Sequence, residues 1–186
     1  IIKGQNRIKF NSIYNPKAEA QRWKKKFNLK NLDIPFIMFG ITNGIFIREI
    51  LPELEGKSVA ILIEPDIELF IFCLNNFDMT DILSNDRVCL FVDGINEIKL
   101  YEYLKHVINY KVLYTQIVCT HPKMEMVYEE EFLKFYSIIE KIFSACQVEY
   151  NAHVALGENS TYNSLKNMHF IKESNIITDY IGNIKY

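Results

Sequence analysis

The sequence has few of the residues that mark a metal, redox or membrane protein. Its four cysteines are widely spaced and form no C-x-x-C pair, so neither a zinc site nor a redox-active dithiol is expected. Each cysteine lies in an apolar stretch, which favours buried free thiols in a reducing compartment. The sequence shows no signal-peptide pattern, and no apolar run reaches the roughly 20 residues of a membrane span. These absences together predict a cytoplasmic protein.

An excess of charge of one sign is also absent. The 186 residues carry 21 lysines and arginines against 23 aspartates and glutamates, which gives a formal net charge of -2 at pH 7. This balance provides no electrostatic reason to expect nucleic acid or an anionic membrane as a partner. The hydrophobic fraction of 49% is ordinary for a globular domain with a sizeable core.

Sequence signatures of catalysis are not found either. Neither His106 nor His153 has a metal-ligating residue four positions later, so a metal site is not expected. No G-x-S-x-G sequence and no cysteine–histidine signature of a nucleophile occurs. The acidic run at 129–131 is interpreted as the solvated start of a helix. The sequence therefore assigns no catalytic residue.

Four short apolar stretches alternate with helical patterns, at residues 35–39, 58–64, 87–92 and 115–120. Continuous apolarity over so few residues is typical of strands buried on both faces of a parallel sheet. The fold class predicted is α/β: a Rossmann-like (class I methyltransferase-like) three-layer domain with a mainly parallel sheet and a helical C-terminal tail.

Three segments are expected along the chain. Residues 1–30 form an N-terminal strand and helix, with Asn15 as the helix cap and Pro16 at the first helical position. Residues 31–150 form the Rossmann-like domain. Residues 151–186 form a helical tail, with a separate helix at 161–172, or a linker to a catalytic domain outside this chain. Because the first residues already read as folded sequence and begin at Ile1, a piece of a longer protein is expected.

Polar residues and glycines are concentrated where the predicted strands end. A parallel sheet binds ligands beyond the carboxyl ends of its strands, so these residues are the candidate ligand site. The candidates are Gly40, Thr42, Asn43, Gly44, Glu64, Asp66, Asp93 and His121.

Two interpretations of this edge remain open. A glycine loop before a helix, followed after roughly 20 residues by an acid, is the arrangement that binds a nucleotide. Thr42 and Ile45 stand where a dinucleotide-binding loop has glycine. The loop is closer to that of S-adenosylmethionine-dependent methyltransferases, although Met38 replaces the acid and Thr42 the middle glycine. S-adenosylmethionine or a nucleotide is thus a candidate ligand, without being assigned as a cofactor.

The other interpretation makes these residues part of the scaffold. The glycines then serve a tight turn, and Glu64 and Asp66 act as acids at the start of the following helix.

Three segments together resemble the motility-associated factor (Maf) proteins. Residues 14–23, Y-N-P-K-A-E-A-Q-R-W, are similar to the family's Y-N/D-P-x-x-E-A-x-R-W segment. Residues 39–44, F-G-I-T-N-G, are similar to its F-G-x-G-x-G loop, from which Thr42 departs. Residues 64–66, E-P-D, are similar to the segment that follows its second strand. The likeness covers the chain from about Ile8 to at least Asp93.

The resemblance implies a function in flagellin glycosylation. Maf-like proteins are cytoplasmic bacterial enzymes that transfer nonulosonic acids to flagellin, and their sugar-transfer site lies in a central domain that opens with a G-P-S-L type motif. No such motif occurs in this chain. The resemblance therefore implies an N-terminal, non-catalytic domain that serves acceptor docking or assembly. The implied partners are flagellin or a flagellar chaperone, and the catalytic domain in cis.

Overall fold

A computed structural model describes residues 2–3, 6–27, 29, 35–109 and 115–168. The strands in chain order are β1 (Ile2–Lys3), β2 (Asn6–Arg7), β3 (Phe36–Phe39), β4 (Ala60–Glu64), β5 (Val88–Val92) and β6 (Ile117–Thr120). The helices are α1 (Pro16–Lys24), α2 (Ile45–Ile50), α3 (Ile67–Asn76), α4 (Thr80–Leu83), α5 (Leu100–Val107), α6 (Met124–Val127) and α7 (Glu129–Lys166). Single 3-10 turns occur at Leu51–Glu53 and Glu97–Lys99.

Four of the strands form one parallel sheet in the order β5-β4-β3-β6. The register places Phe39 between Ile63 of β4 and Thr120 of β6, so these three strands end side by side. The chain adds β4 and β5 on one side of β3 and then crosses back to add β6 on the other side. Such a reversal is the switch point where open α/β sheets commonly hold ligands.

Alternate residues of the sheet enter two different cores. Phe36, Met38 and Leu62 face a cluster that includes side chains of α1, α2 and α3. Ile37, Phe39, Ile61 and Ile63 face a second cluster that includes side chains of α5 and α7. Helices therefore cover both faces of the sheet, and the predicted Rossmann-like three-layer fold is confirmed. The smaller hairpin of β1 and β2 is antiparallel.

Local sequence signals account for the starts of two helices. Asn15 caps α1, since its side-chain oxygen accepts a hydrogen bond from the N–H of Ala18 at 2.9 Å, and Pro16 takes the first helical position. Asp66 caps α3 in the same way, through the N–H groups of Glu68 and Leu69 at 2.8 and 3.0 Å. The predicted cap at Asn15 is confirmed, and so is the interpretation of Asp66 as a helix-start acid.

The C-terminal part of the described chain is one long helix. The sequence predicts a separate helix at 161–172, whereas α7 continues without interruption from Glu129 to Lys166. No proline interrupts residues 129–166, and Gly157 is tolerated inside a helix at a modest cost. Residues 169–172 of that prediction lie outside the described residues. The chain divides into two compact units, one from Ile1 to Cys146 and one from Gln147 onward.

Candidate ligand site at the carboxyl edge of the sheet

The parallel sheet brings the predicted site residues to one edge. The loop Gly40–Gly44, called the glycine loop below, follows β3. Glu64 ends β4, and Asp93 and His121 directly follow β5 and β6. What each residue does at this edge depends on its own contacts, which differ markedly within the set.

Glu64 binds the glycine loop. Its side chain is fully buried, and one carboxylate oxygen, Oε2, accepts hydrogen bonds from the backbone N–H of Ile41 at 3.1 Å and of Thr42 at 3.0 Å. In nucleotide-binding loops, backbone N–H groups of this kind are offered to an anionic ligand. Here the carboxylate of the chain itself takes that place.

Burial dominates the electrostatics of Glu64. It raises the pKa of the carboxyl to about 7, while the nearby backbone N–H groups of Thr42, Ile41 and Asp66 act in the opposite direction. The second oxygen, Oε1, is buried and has no hydrogen-bond partner among the described residues. A proton on this oxygen would remove the buried charge while leaving Oε2 free to accept from the loop.

The two loop glycines are needed for packing as well as for the turn. Gly40 and Gly44 have φ angles of 85° and 77°, in the left-handed region that favours glycine. A Cβ on Gly40 would lie 2.2 Å from Cγ of Met124, and one on Gly44 would lie 2.3 Å from Cδ1 of Ile82. The space beside each glycine is therefore taken by the chain's own side chains.

Thr42 occupies the loop position where both cofactor-binding patterns have glycine. Its φ of 49° is left-handed, which costs a β-branched residue roughly 1–2 kcal/mol. Its side chain is only 4% exposed, and the hydroxyl has no partner among the described residues. A strained residue with an unpaired hydroxyl is the least satisfied feature of the loop.

His121 fills the switch point between β3 and β6. It is 0% exposed, and its ring lies edge-on to Phe46 and Phe10, with centroids 4.5 and 5.6 Å away. Nε2 lies 3.1 Å from the side-chain oxygen of Asn11, whose amide nitrogen donates to Oδ1 of Asn43 at 2.8 Å. His121 is thereby connected through Asn11 to the glycine loop. Asn11 belongs to residues 8–15 between β2 and α1, called the N-terminal arm below.

The protonation of His121 follows from this setting. Burial lowers the pKa of the imidazole to about 3, and the charge of Lys123 adds to the effect. Because the oxygen of Asn11 accepts, Nε2 carries the proton of the neutral ring. Nδ1 is then a buried acceptor, and it has no partner within the described part of the chain.

Asp66 and Asp93 differ from these buried groups. The second oxygen of Asp66 accepts a hydrogen bond from the hydroxyl of Tyr128, and burial together with this bond raises the pKa of that tyrosine. Asp93 is exposed in the turn after β5, and its backbone N–H donates to the carbonyl of Glu64 at 2.9 Å.

Two cavities divide the predicted site residues. Thr42, Asn43 and Asp66 line a cavity of about 540 Å³ between the glycine loop, the N-terminal arm and α3. Glu64 and Asp93 line a smaller one of about 200 Å³ beside α5 and α7. Gly40, Gly44 and His121 line neither of these two cavities. The eight residues thus share an edge without forming one site.

The larger cavity also contains residues that the sequence did not point to. Phe10 and Asn11 line it from the N-terminal arm, Phe72 lines it from α3, and Phe77 lines it from the residue that follows α3. Asn11 had no detectable signal, since its partner His121 lies 110 positions away. Phe72 did have a detectable signal in the sequence. The helix α3 has apolar residues besides its buried positions Phe70 and Cys73, so part of its apolar surface is not used by the core.

Two searches of the described residues have negative results. No cluster of three or more histidine, cysteine, aspartate or glutamate side chains in that part of the chain could hold a metal ion. None of its helices is both long enough and apolar enough to cross a membrane.

Comparison with known proteins does not place the chain in a family. No protein-family model matches it, and no curated protein is significantly similar to it. Its function therefore has to be inferred from its own residues and their arrangement.

Proposed function

We propose that this chain is a non-catalytic, accessory domain of a bacterial flagellin glycosyltransferase of the Maf type, acting in the cytoplasm beside a sugar-transfer domain. Its role is to dock the acceptor, flagellin or its chaperone, or to assemble the enzyme. The observation that carries this proposal is the segment 14–23, the most specific of the three resemblances, together with the way in which it folds.

Four residues of this segment have contacts that fix its structure. Asn15 caps α1, and the carboxylate of Glu19 accepts a hydrogen bond from the N–H of Ser12 at 2.6 Å. Ala20 and Trp23 are buried, and the Trp23 ring lies edge-on to Phe46 of α2 with centroids 5.2 Å apart. The pattern therefore specifies a short arm and helix fixed against the sheet's first crossover helix.

Tyr14 differs from these four residues. It is 91% exposed, beside the exposed Ile13, while the N–H groups of Tyr14 and Asn15 both donate to the hydroxyl of Ser12 at 3.3 Å. A large aromatic side chain on a backbone held in this way loses little entropy on binding, which is typical of residues that anchor an interface. This arrangement supports a docking role for Tyr14.

The glycine loop supports the non-catalytic part of the proposal. The N–H groups of Ile41 and Thr42 already bind Glu64, and Met124 and Ile82 occupy the space beside the glycines. A cofactor bound as in nucleotide-binding loops would have to displace these contacts.

Docking can be tested by retention of flagellin, or of its chaperone, on the immobilised 186-residue protein. We expect Tyr14→Ala to weaken retention roughly tenfold, because truncation of an aromatic residue that anchors an interface commonly lowers the affinity by at least this factor. Tyr136→Ala, which removes another exposed tyrosine, is the matched control and should bind as wild type does. Equal retention by wild type and Tyr14→Ala, or no retention at all, would rule out docking through this segment.

The alternative function is an S-adenosylmethionine-dependent methyltransferase-like or nucleotide-binding domain. One observation favours it: Thr42, Asn43 and Asp66 line a single cavity of about 540 Å³, a size in the range of small-molecule sites. Calorimetry with S-adenosylmethionine and with a nucleotide separates the two functions. Absence of binding heat with both ligands at millimolar concentration would remove the alternative.

A further inference from the structure

The cavity between the glycine loop and α3 has an aromatic wall. Phe72 and Phe77 of the α3 region line it, as does Phe10 of the N-terminal arm. Phe72 is 58% exposed and Phe77 is also exposed, so these rings lie open to a ligand. Open aromatic surface at a cavity of this size is suited to stacking against a planar ring.

The charge of the cavity is negative. Asp66 and Glu68 line it, and none of the described lysines and arginines does. The carboxylate of Asp66 is engaged by the start of α3 and by Tyr128, whereas Glu68 forms no ion pair with any described residue. Burial raises the pKa of Cys73, which also lines the cavity, to about 11, so this thiol is uncharged. A cation would be attracted here, and an anionic ligand such as the phosphate of a nucleotide would be repelled, which counts against the nucleotide-binding form of the alternative function.

A buried hydroxyl provides an unused hydrogen-bonding group. Thr42 lines the cavity, its hydroxyl has no partner among the described residues, and its side chain is 4% exposed. A buried hydroxyl left unpaired costs free energy that a ligand could recover.

We propose that this cavity is a binding site for a small aromatic amine: a planar ring that stacks on Phe72 and Phe77, with a cationic nitrogen toward Glu68 and a polar group that bonds the hydroxyl of Thr42. The site lies on the α3 side of the glycine loop. It shares Thr42 with the predicted strand-end residues, whereas Glu68 and the N-terminal arm are not among them. It does not rest on the glycosyltransferase proposal, so either can fail while the other stands.

Three probes with one ring and different charges test this site. They are tryptamine, indole-3-acetamide and indole-3-acetate, which carry an ammonium, a neutral amide and a carboxylate. Calorimetry on the wild-type chain at low salt should show tryptamine binding most tightly and indole-3-acetate most weakly. Each affinity should differ from the next by roughly fivefold, because the unpaired carboxylate of Glu68 attracts the ammonium and repels the carboxylate of the probe. The steps should shrink as salt is raised, because exposed charges are screened.

Variants assign the binding to named groups. Phe72→Ala should weaken all three probes by a similar factor, roughly tenfold, since it removes ring contact. Glu68→Gln should leave indole-3-acetamide unchanged and bring tryptamine and indole-3-acetate closer together. Thr42→Val removes the hydroxyl and keeps the branched shape, so it should weaken tryptamine roughly fivefold, whereas Thr42→Ser should bind almost as wild type does.

An exposed residue outside the lining provides the control. Ile98 is 87% exposed and does not line the cavity, so Ile98→Ala should bind all three probes as wild type does. The proposal is overturned if tryptamine does not bind at millimolar concentration, or if indole-3-acetate binds as tightly as tryptamine. It is also overturned if Phe72→Ala and Ile98→Ala give the same affinities.

Discussion

Glu64 and His121 are two buried titratable groups at the carboxyl ends of β4 and β6, which lie on either side of β3, and burial favours the neutral form of each. For Glu64 the pKa rises from 4.5 to about 7, so the folded protein keeps a proton that the unfolded chain has already lost. Its contribution to the free energy of unfolding therefore falls as pH rises through that window. For His121 the pKa falls from 6.5 to about 3, so the contribution falls as pH decreases below 6.5.

These two effects oppose each other between pH 4.5 and 6.5. The wild-type stability should consequently change little across that range, although each group contributes a substantial slope. A flat profile would conceal both groups, and only a comparison with a variant can separate them.

His121→Gln isolates the histidine. The amide nitrogen of the glutamine can still donate to the side-chain oxygen of Asn11. Because this amide does not titrate, the variant does not lose the stability that His121 loses at low pH. We expect the wild type to lose about 2 kcal/mol relative to the variant between pH 6.5 and pH 5. Urea unfolding of both proteins at each pH measures this difference. A constant difference over that range would mean that the imidazole is not held neutral in the folded state.

At the scale of single elements, the sequence predicted what depends on nearby residues. The caps at Asn15 and Asp66 are set within three positions of themselves, and the strands are recognised by short apolar runs. The structure of the glycine loop depends instead on Glu64, more than 20 positions away, and on Met124 of α6. Neither contact has a periodic or local pattern, so the sequence could not decide between a cofactor-binding loop and a scaffold turn.

The loop glycines and the glycine of α7 should respond in opposite ways to alanine. Gly40→Ala places a Cβ against Met124 at a left-handed φ and should destabilise the fold by roughly 2–4 kcal/mol. A Cβ on Gly157 would meet no heavy atom of the described residues within 4 Å apart from its chain neighbours and the backbone of its own helix, so Gly157→Ala should raise helix stability by about 1 kcal/mol. Thermal unfolding followed by circular dichroism compares them. If both substitutions have equal effects, Gly40 is not packed against Met124 as described.

For the whole molecule, the parallel sheet was within reach of the sequence, but the residues that occupy its switch point were not. Strands alternating with helices predict a parallel sheet whose carboxyl edge carries the polar residues. The arm residue Asn11 and the strand-end residue His121 meet there although they are 110 positions apart. Together with Phe10 and Phe46 they fill the place where a cofactor would be sought first.

Because these side chains occupy the centre of the sheet's carboxyl edge, space for a ligand lies to the sides of that edge. The larger cavity lies toward α3 and is acidic and aromatic, while Tyr14 is exposed on the arm that leads to it. Docking through Tyr14 and ligand binding beside α3 are separate activities in this view, and the N-terminal arm takes part in both. The two sets of variants, at Tyr14 and at Phe72, test them independently.

The side-chain carboxyl group of Glu64 closes the glycine loop through the N–H groups of Ile41 and Thr42. The most direct test is a nuclear magnetic resonance titration that follows the side-chain carboxyl carbon of Glu64 and the backbone amides of Ile41 and Thr42. The account predicts a carboxyl midpoint near pH 7, with both amide signals moving at the same midpoint in the wild type and not in Glu64→Gln. A midpoint near the ordinary value of 4.5, with amides that do not follow it, would contradict the account and leave the loop free to bind a ligand.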